Sequence, residues 1–153
     1  MPIRRAGPDD LDELCRLRVA FLADHRGEPV AALPAGFVEQ TRAWLDQVTR
    51  AGTLHSWFAE EDGRRVGVVS VLVLDLPPRP GDARRLEGYV LNLFVEPAAR
   101  GRGCGRALFE AAGALAPDLG LRRLFLKATP DGRPLYEAAG FAPNDDWLER
   151  HEP

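Results

Sequence analysis

The hydrophobic pattern at the start of the chain has the period of two amphipathic helices. Ile3 opens a short strand-like segment, and residues 8–10 (Pro-Asp-Asp) then favour the start of a helix over 11–25. Apolar residues at the same spacing predict a second helix over 37–52. The loop that joins the helices, 27–36, is rich in Pro, Gly and Ala, and we expect it to flank a substrate.

Further along the chain the period changes to that of β-strands. Residues 57–59 and 66–74 are rich in β-branched or aromatic side chains, and the Asp62-Gly63 pair between them predicts a hairpin turn. The proline-rich segment 77–82 is predicted to be an exposed loop, because proline donates no hydrogen bond to a sheet. This pattern predicts an antiparallel meander.

The second half of the chain alternates strands and helices. Residues 88–95 predict a buried strand that begins just after Glu87. A glycine-rich turn follows, and the helix after it is predicted to end at 117–120, where Pro and Gly interrupt the pattern. The remaining predicted elements are a strand over 124–126, a helix capped by Asp131 that runs to Ala139, and a closing hairpin over 141–148.

Length and composition predict a single globular domain that spans residues 1–153. Its 45% hydrophobic and 28% charged residues are typical of a protein with a packed core. The net charge of -3 gives no basic field of the kind that accompanies nucleic-acid binding. No segment approaches the roughly 20 apolar residues that cross a bilayer, and the N-terminus lacks the apolar core of a signal peptide. We therefore expect a cytoplasmic protein with no membrane or nucleic-acid partner.

Cysteine and arginine usage narrows the possible chemistry. Cys15 and Cys104 are far apart and have no companion ligands, so we expect neither a disulfide nor a metal site. Lys127 is the only lysine, and arginines cluster within 100–106. Such a local cluster in an acidic protein favours a small anionic ligand over a long polyanion.

The arginine cluster lies in a glycine-rich turn between a predicted strand and a predicted helix. Residues 100–105 read Arg-Gly-Arg-Gly-Cys-Gly, and bare amides at a helix N-terminus suit a phosphate. A dinucleotide-binding G-x-G-x-x-G pattern fails in both registers, because its last position falls on Arg106 or Leu108. A P-loop is excluded as well, since Gly105 is followed by Arg-Ala rather than by lysine and a hydroxyl residue.

Residues 100–105 match the R/Q-x-x-G-x-G/A motif of GNAT acetyltransferases, and a strand ending in Leu-Phe-Val-Glu-Pro, 93–97, precedes them as it does in that family. A second segment, 134–141 (PLYEAAGF), resembles the family's later helix and its L-Y-E-x-x-G-F ending. The start of the chain, residues 3–11, also resembles the family's start. The sequence is therefore similar to GNAT acetyltransferases over nearly its whole length.

The resemblance implies an α/β GNAT fold. Its central sheet is mixed, mostly antiparallel and twisted, with about six to seven strands, about four flanking helices and a V-shaped splay between the fourth and fifth strands. The pantetheine arm of acetyl-CoA then pairs with free backbone groups at the splay, and the pyrophosphate lies on the turn. Cys104 is expected to pack inward rather than act as a nucleophile. The implied cofactor-binding residues are Leu93, Phe94, Val95, Arg100, Gly101, Arg102, Gly103, Cys104, Gly105 and Arg106.

The implied activity is transfer of the acetyl group of acetyl-CoA to a primary amine by direct attack in a ternary complex. Tyr136 matches the family's tyrosine near the cofactor sulfur, and a phenol pKa of about 10 suits protonation of the leaving thiolate. Glu87 is the expected base, acting directly or through water. Tyr89 and Asn92 are expected to line the substrate site, and the amide of Val95 is the expected oxyanion donor.

Alternatives stay open at this point. Lys127 replaces an acid that some family members carry, and Asp131, near the family's pantetheine-binding asparagine, is expected mainly to cap the last helix. A non-catalytic acyl-CoA-binding sensor or interaction module on the same fold is the main alternative, and nucleotide or RNA binding through the arginines is another. No motif specifies the amine acceptor, so small-molecule amines, aminoglycoside-like antibiotics, and protein N-termini or lysines all stay open. No motif decides between a monomer and a homodimer.

Overall fold

A computed structural model describes the whole chain, residues 1–153. Its elements are β1 (Ile3–Arg5), α1 (Leu11–Arg26), α2 (Phe37–Arg50), β2 (Leu54–Glu61), β3 (Arg64–Asp75), β4 (Leu86–Val95), α3 (Cys104–Leu119), β5 (Arg123–Phe125) and α4 (Arg133–Ala138). The helices and the meander form where the hydrophobic period predicted them, with ends that shift by a few residues. Every helix is too short or too polar to traverse a lipid bilayer.

The strands form one mixed sheet in the order β1-β2-β3-β4-β5. Strands β1 to β4 are antiparallel to their neighbours, whereas β5 is parallel to β4 because α3 connects the two as a crossover. Asp62 and Gly63, both with positive φ (49° and 75°), join β2 to β3. The hairpin turn predicted from this Asp-Gly pair is thus confirmed.

Two hydrophobic clusters pack on opposite faces of the sheet. On one face α3 covers the sheet, and Leu108 packs with Val69 in the core. On the other face α1 and α2 bury Leu17, Leu45 and Phe58, all 0% exposed. Because both faces are covered, the inner strands are apolar at successive positions rather than at alternate ones. Strand β4 therefore lies between the two helical layers and is accessible from either side only where its neighbours leave a gap.

The sheet has five strands, so the expectation of six to seven strands is wrong. The predicted closing hairpin over 141–148 does not form, and this segment contains a proline that cannot donate to a ladder. The backbone N–H of Asp146 donates to Asn144 Oδ1 at 3.0 Å, a local bond that favours a turn. Trp147 stacks on Phe125 with ring centroids 6.1 Å apart, so the segment packs beside β5 through side chains.

The last helix also begins differently from the prediction. α4 starts after Gly132, and Asp131 is exposed and makes no capping bond. The backbone N–H groups of Gly132 and Arg133 donate instead to the carbonyl of Thr129, at 3.1 and 3.0 Å. The prediction that Asp131 caps this helix is therefore wrong, because a turn closed by Thr129 satisfies these amides.

Candidate active site

A β-bulge at Asn92 changes the direction of side chains in the middle of β4. Asn92 has a φ of 59°, in the left-handed region that asparagine tolerates better than most residues. The pairing of β4 with β3 shifts between Val68 and Ser70, which is where the extra residue is accommodated. The bulge directs Asn92 toward α1, where its Oδ1 accepts a hydrogen bond from Arg18 Nη1 at 2.5 Å.

Beyond its pairing with β5, strand β4 has a free edge. β5 pairs only with residues 87–89, so residues 90–95 have no strand partner on that side. The N–H of Glu96 donates to Val66 O at 2.8 Å, and successive residues of a strand alternate in direction. The N–H and C=O groups of Leu93 and Val95 therefore face the free edge. The opening lies between the fourth and fifth strands, where the resemblance to GNAT acetyltransferases implied a splay.

Phe94 does not fit the role predicted for its backbone. It pairs with Val68 of β3 on the opposite side of the strand, and its side chain is buried against α1, with the ring 5.9 Å from that of Phe21. By the same alternation, its backbone groups face β3 rather than the free edge. Of the three β4 residues predicted to hold a ligand through the backbone, only Leu93 and Val95 have backbone groups that face the free edge, and the carbonyl of Val95 already accepts a hydrogen bond from Arg100 Nε at 2.9 Å.

The glycine turn connects the free edge of β4 to the N-terminus of α3. Gly101 and Gly103 have φ values of 76° and 82°, a conformation that residues with a side chain rarely adopt. Both glycines have open space where a Cβ would lie, so the backbone conformation rather than crowding requires them. α3 begins at Cys104, and no side chain caps its first amides. Those amides are free to bind an anion.

The arginines of the turn are engaged within the chain. Arg100 Nε donates to Val95 O at 2.9 Å, and its Nη2 lies 2.7 Å from Asp24. Arg102 pairs with Glu61, and Arg106 pairs with the neighbouring Glu110 on α3. The side chains of Arg100 and Arg102 therefore hold the turn against β4 and β2, while the amides of the turn stay unpaired.

Cys104 packs into the core beneath the turn. It is 1% exposed, and its Sγ lies 3.4 Å from the carbonyl oxygen of Ala99. A thiol in this position fills space and is shielded from solutes. No group of three or more His, Cys, Asp or Glu side chains is arranged to hold a metal ion.

Tyr136 on α4 lines a cleft of about 630 Å³ that surrounds the outer edge of β5. Its ring packs on Phe109 of α3, with centroids 5.3 Å apart, and on Gly132, where a Cβ would lie 2.8 Å from the phenol. Its hydroxyl has no hydrogen-bond partner in the chain, and burial raises the pKa of the phenol. Tyr136 is therefore protonated at neutral pH and free to donate a proton into the cleft.

Glu87, the expected base, is buried and ion-paired rather than free to accept a proton. Its side chain is 0% exposed, and its two oxygens accept hydrogen bonds from Arg122 Nε at 3.0 Å and Arg123 Nη2 at 2.5 Å. Burial raises the pKa of Glu87, but the bonds from Arg123 and Arg122 outweigh this effect and hold the pKa below its usual value. Such a carboxylate is a poor base, so the geometry favours a structural role that joins β4 to β5.

Comparison with known proteins identifies the family to which the chain belongs. The sequence model of the acetyltransferase (GNAT) family matches residues 11–141. The chain belongs to this family. The GNAT match includes β4 with its free edge, the glycine turn, α3 and Tyr136 of the cleft beside β5.

Several acetyltransferases resemble most or nearly all of the chain. A predicted acetyltransferase from Clostridium acetobutylicum, solved with acetyl-CoA, has a TM-score of 0.86 and 25% identity, covering 98% of this chain and 95% of that one. A GCN5-related N-acetyltransferase from Ralstonia eutropha JMP134 has a TM-score of 0.82 and 33% identity, covering 99% and 97%. Glucosamine 6-phosphate N-acetyltransferase of Trypanosoma brucei brucei is 29% identical over 133 residues, 84% of this chain and 88% of that protein.

The structure brings Tyr89, which was predicted to line the site, together with Trp147 and shows a role for Arg18, two residues that the sequence analysis did not identify. Tyr89, predicted to line the substrate site, borders the cleft and stacks on Phe125 with centroids 5.2 Å apart. Trp147 extends this stack from the C-terminal segment. Arg18, which binds Asn92, occupies a position in the apolar stripe of α1. An arginine at such a position is the sequence signal that could have identified it as a functional residue. No sequence pattern connects Trp147 to β5.

A second cavity, of about 300 Å³, lies on the α1 and α2 side of β4 in this GNAT chain. It is separated by the strand from the α3 layer and is next to the bulge at Asn92. The residues that line it are Arg18, Phe37, Gln40, Thr41, Trp44 and Leu91.

Proposed function

We propose that this GNAT protein is an N-acetyltransferase that transfers the acetyl group of acetyl-CoA to a primary amine in a ternary complex. The observation that carries the proposal is the free edge of β4, which leads directly to the uncapped N-terminus of α3. A strand edge and a helix terminus in one continuous opening suit a ligand with an amide-containing arm and a phosphate group. The Clostridium relative solved with acetyl-CoA supports the choice of donor.

The donor would be held mainly by backbone groups. Leu93 would offer its N–H and C=O groups and Val95 its N–H group to the amide-containing arm, as an added strand would use them, while Arg100 occupies the carbonyl of Val95. The amides of residues 101–106 would bind the pyrophosphate, helped by the positive end of the α3 dipole. Arg100, Arg102 and Arg106 would contribute positive potential there, with Arg100 and Arg102 also fixing the shape of the turn.

Two groups would act on the reacting atoms. As the C–N bond to the amine forms and the C–S bond breaks, Tyr136, protonated and without a partner in the chain, would donate its proton to the departing thiolate. The proton released by the amine nitrogen would pass to water, from which Tyr136 would regain its own. The N–H of Val95, which faces the free edge, would stabilise the negative charge that develops on the carbonyl oxygen. Glu87 takes no part in the chemical step in this proposal, because both of its oxygens are occupied by arginines.

The test is turnover of acetyl-CoA with a panel of primary amines, measured as release of free thiol, with the acetylated product identified by mass spectrometry. The proposal predicts amine-dependent thiol release and a product heavier by one acetyl group. Binding of CoA without transfer to any amine would contradict it and would favour a non-catalytic acyl-CoA-binding module.

A further inference from the structure

We infer that the acceptor is a small primary amine that also carries an anionic group, a carboxylate or a phosphate, and that Arg18 binds this group on the α1 and α2 side of β4. The inference rests on the proposed function and specifies the class of its acceptor. It is carried by a half-buried arginine that has no carboxylate partner, whereas every other arginine of this chain is either ion-paired or exposed to water.

Arginines in this protein are almost all ion-paired. Arg5, Arg18 and Arg64 are the exceptions, and every other arginine contacts a carboxylate. Arg5 and Arg64 are exposed to water, which solvates their charge. Arg18 is half-buried and is therefore the one unpaired arginine that water solvates only in part. A cation in this position is stabilised when an anion binds beside it.

The guanidinium of Arg18 is held in place but not neutralised. Nη1 donates to Asn92 Oδ1 at 2.5 Å, and its Cζ lies 5.7 Å from the ring centre of Phe21. These contacts fix the orientation of the group and leave its other N–H donors free. Burial lowers the pKa of Arg18, and only the nearby Tyr89 opposes this effect. No carboxylate of the chain supplies the missing charge.

The cavity beside Arg18 has the composition of an anion-binding site. Its α2 wall presents Phe37, Gln40, Thr41 and Trp44, which are spaced to lie on one helical face. Gln40 and Thr41 carry N–H and O–H donors that complement an anion, while the aromatic side chains contact an apolar part of the ligand. The lining contains no Asp or Glu. This wall suits an amine with an acidic group and does not suit a polyamine.

The position of Arg18 relates the anion site to the proposed donor site. Asn92 lies within the stretch of β4 whose other edge is free, and Arg18 contacts Asn92 from the α1 side. An anion bound to Arg18 would thus be close to the strand along which the acyl group is proposed to lie. The volume of about 300 Å³ accommodates a small molecule. Binding of the anion would place the amine of such a molecule beside β4.

Matched pairs of acceptors test the inference with the wild-type protein. One pair is glucosamine 6-phosphate against glucosamine, and the other is phenylalanine against phenylalanine amide, so the two pairs distinguish a phosphate from a carboxylate. We expect the anionic member of at least one pair to have the higher kcat/KM. Equal or better turnover of the neutral member in both pairs would overturn the inference.

The variant Arg18→Gln then tests the residue. For the anionic acceptor we expect KM to rise roughly 10- to 100-fold, since hydrogen bonds to charged groups contribute that much. KM for acetyl-CoA and turnover of the neutral acceptor should change little. Arg64→Gln removes an exposed, unpaired arginine and should leave all these values unchanged.

The outcomes separate the inference from the proposed function. An equal loss of turnover for anionic and neutral acceptors in Arg18→Gln, at unchanged folding by circular dichroism, would overturn the role of Arg18 and leave acetyl transfer intact. If Arg18→Gln does not fold, Arg18→Lys is the second variant, and it should keep part of the preference for the anionic acceptor. Loss of the whole preference in Arg18→Lys would count against the inference. Absence of transfer to every amine would instead remove the proposed function and the inference with it.

Discussion

Two regions of β4, its free edge and the side that faces α1 and α2, differ in the groups they present to a ligand. On the side of the free edge, the groups available to a ligand are mostly backbone groups, those of Leu93 and Val95 and the amides of the turn 101–106. On the α1 and α2 side, the available groups are side chains from separate elements, such as Arg18 of α1 and Trp44 of α2. We infer from this difference that the free edge binds a ligand shared with related proteins, whereas the α1 and α2 side binds a ligand specific to this protein.

Among the variants that test this comparison, Tyr136→Phe is expected to have the largest effect. Removing the hydroxyl takes away the proposed proton donor but keeps the ring that packs on Phe109. We expect kcat to fall by roughly 100-fold, within the usual contribution of a positioned acid, while the Kd for CoA changes little. Steady-state kinetics and calorimetry measure the two quantities. Unchanged kcat would remove Tyr136 from the chemistry.

Glu87→Gln tests the junction of β4 and β5 that both sides share. The substitution leaves Arg122 and Arg123 without their buried counter-charge, and breaking a buried pair typically costs about 3 kcal/mol of unfolding free energy. Urea denaturation measures this loss. Asp46→Asn, which breaks an exposed pair with Arg50, is the control and should cost well under 1 kcal/mol, roughly the value of a surface pair.

The result also distinguishes a structural Glu87 from a catalytic one. If Glu87 were the base, its replacement would lower kcat strongly in a protein of normal stability. We expect the opposite combination, a loss of stability with a kcat that is largely retained at a temperature where the variant is folded.

Gly103→Ala perturbs the free-edge side alone. A φ of 82° costs an alanine about 1 to 2 kcal/mol, so the turn should change shape and its amides lose alignment. We expect roughly tenfold weaker CoA binding by calorimetry. Gly113→Ala, at a position in the middle of α3 with open space around it, should leave CoA affinity unchanged and raise stability slightly. Equal CoA affinity in both variants would show that the turn does not bind CoA.

Asp10→Asn is the smallest expected perturbation and affects the start of α1, the helix that carries Arg18. The hydrogen bond from Arg4 lowers the pKa of Asp10 from 3.8 to about 2, so the folded state favours the charged form. The stabilisation is present above pH 3.8 and is lost as the pH falls toward 2. We expect the variant to lose about 1 kcal/mol at neutral pH, and this difference should shrink in acid. A difference independent of pH would contradict the assignment.

The free-edge side could be predicted from the sequence because local residues specify it. Gly101 and Gly103 mark a backbone conformation that few residues adopt, and the hydrophobic run that ends at Val95 marks the strand before it. The predicted turn and the following helix follow from such local signals, whereas the opening beside β4 was implied by the resemblance to GNAT acetyltransferases. The expected number of strands did not, because the packing of Trp147 on Phe125 replaces backbone pairing in the last segment.

The other side could not be predicted in the same way. Glu87 was expected to be the catalytic base, and only the fold brings Arg122 and Arg123 to it across the β4–β5 junction. Arg18 is positioned by a hydrogen bond to Asn92, which depends on the bulge at that residue. One asparagine in an apolar run does not predict a left-handed backbone conformation. Sites made of side chains from distant segments depend on tertiary contacts that no local pattern encodes.

The most direct test of this account is hydrogen–deuterium exchange of the protein with and without acetyl-CoA. We expect acetyl-CoA to slow exchange at the amides of residues 93–95 and 101–106, with little change in residues 37–44 of α2. Protection confined to residues 37–44, with no change along β4 and the turn, would contradict the assignment of the donor to the free edge.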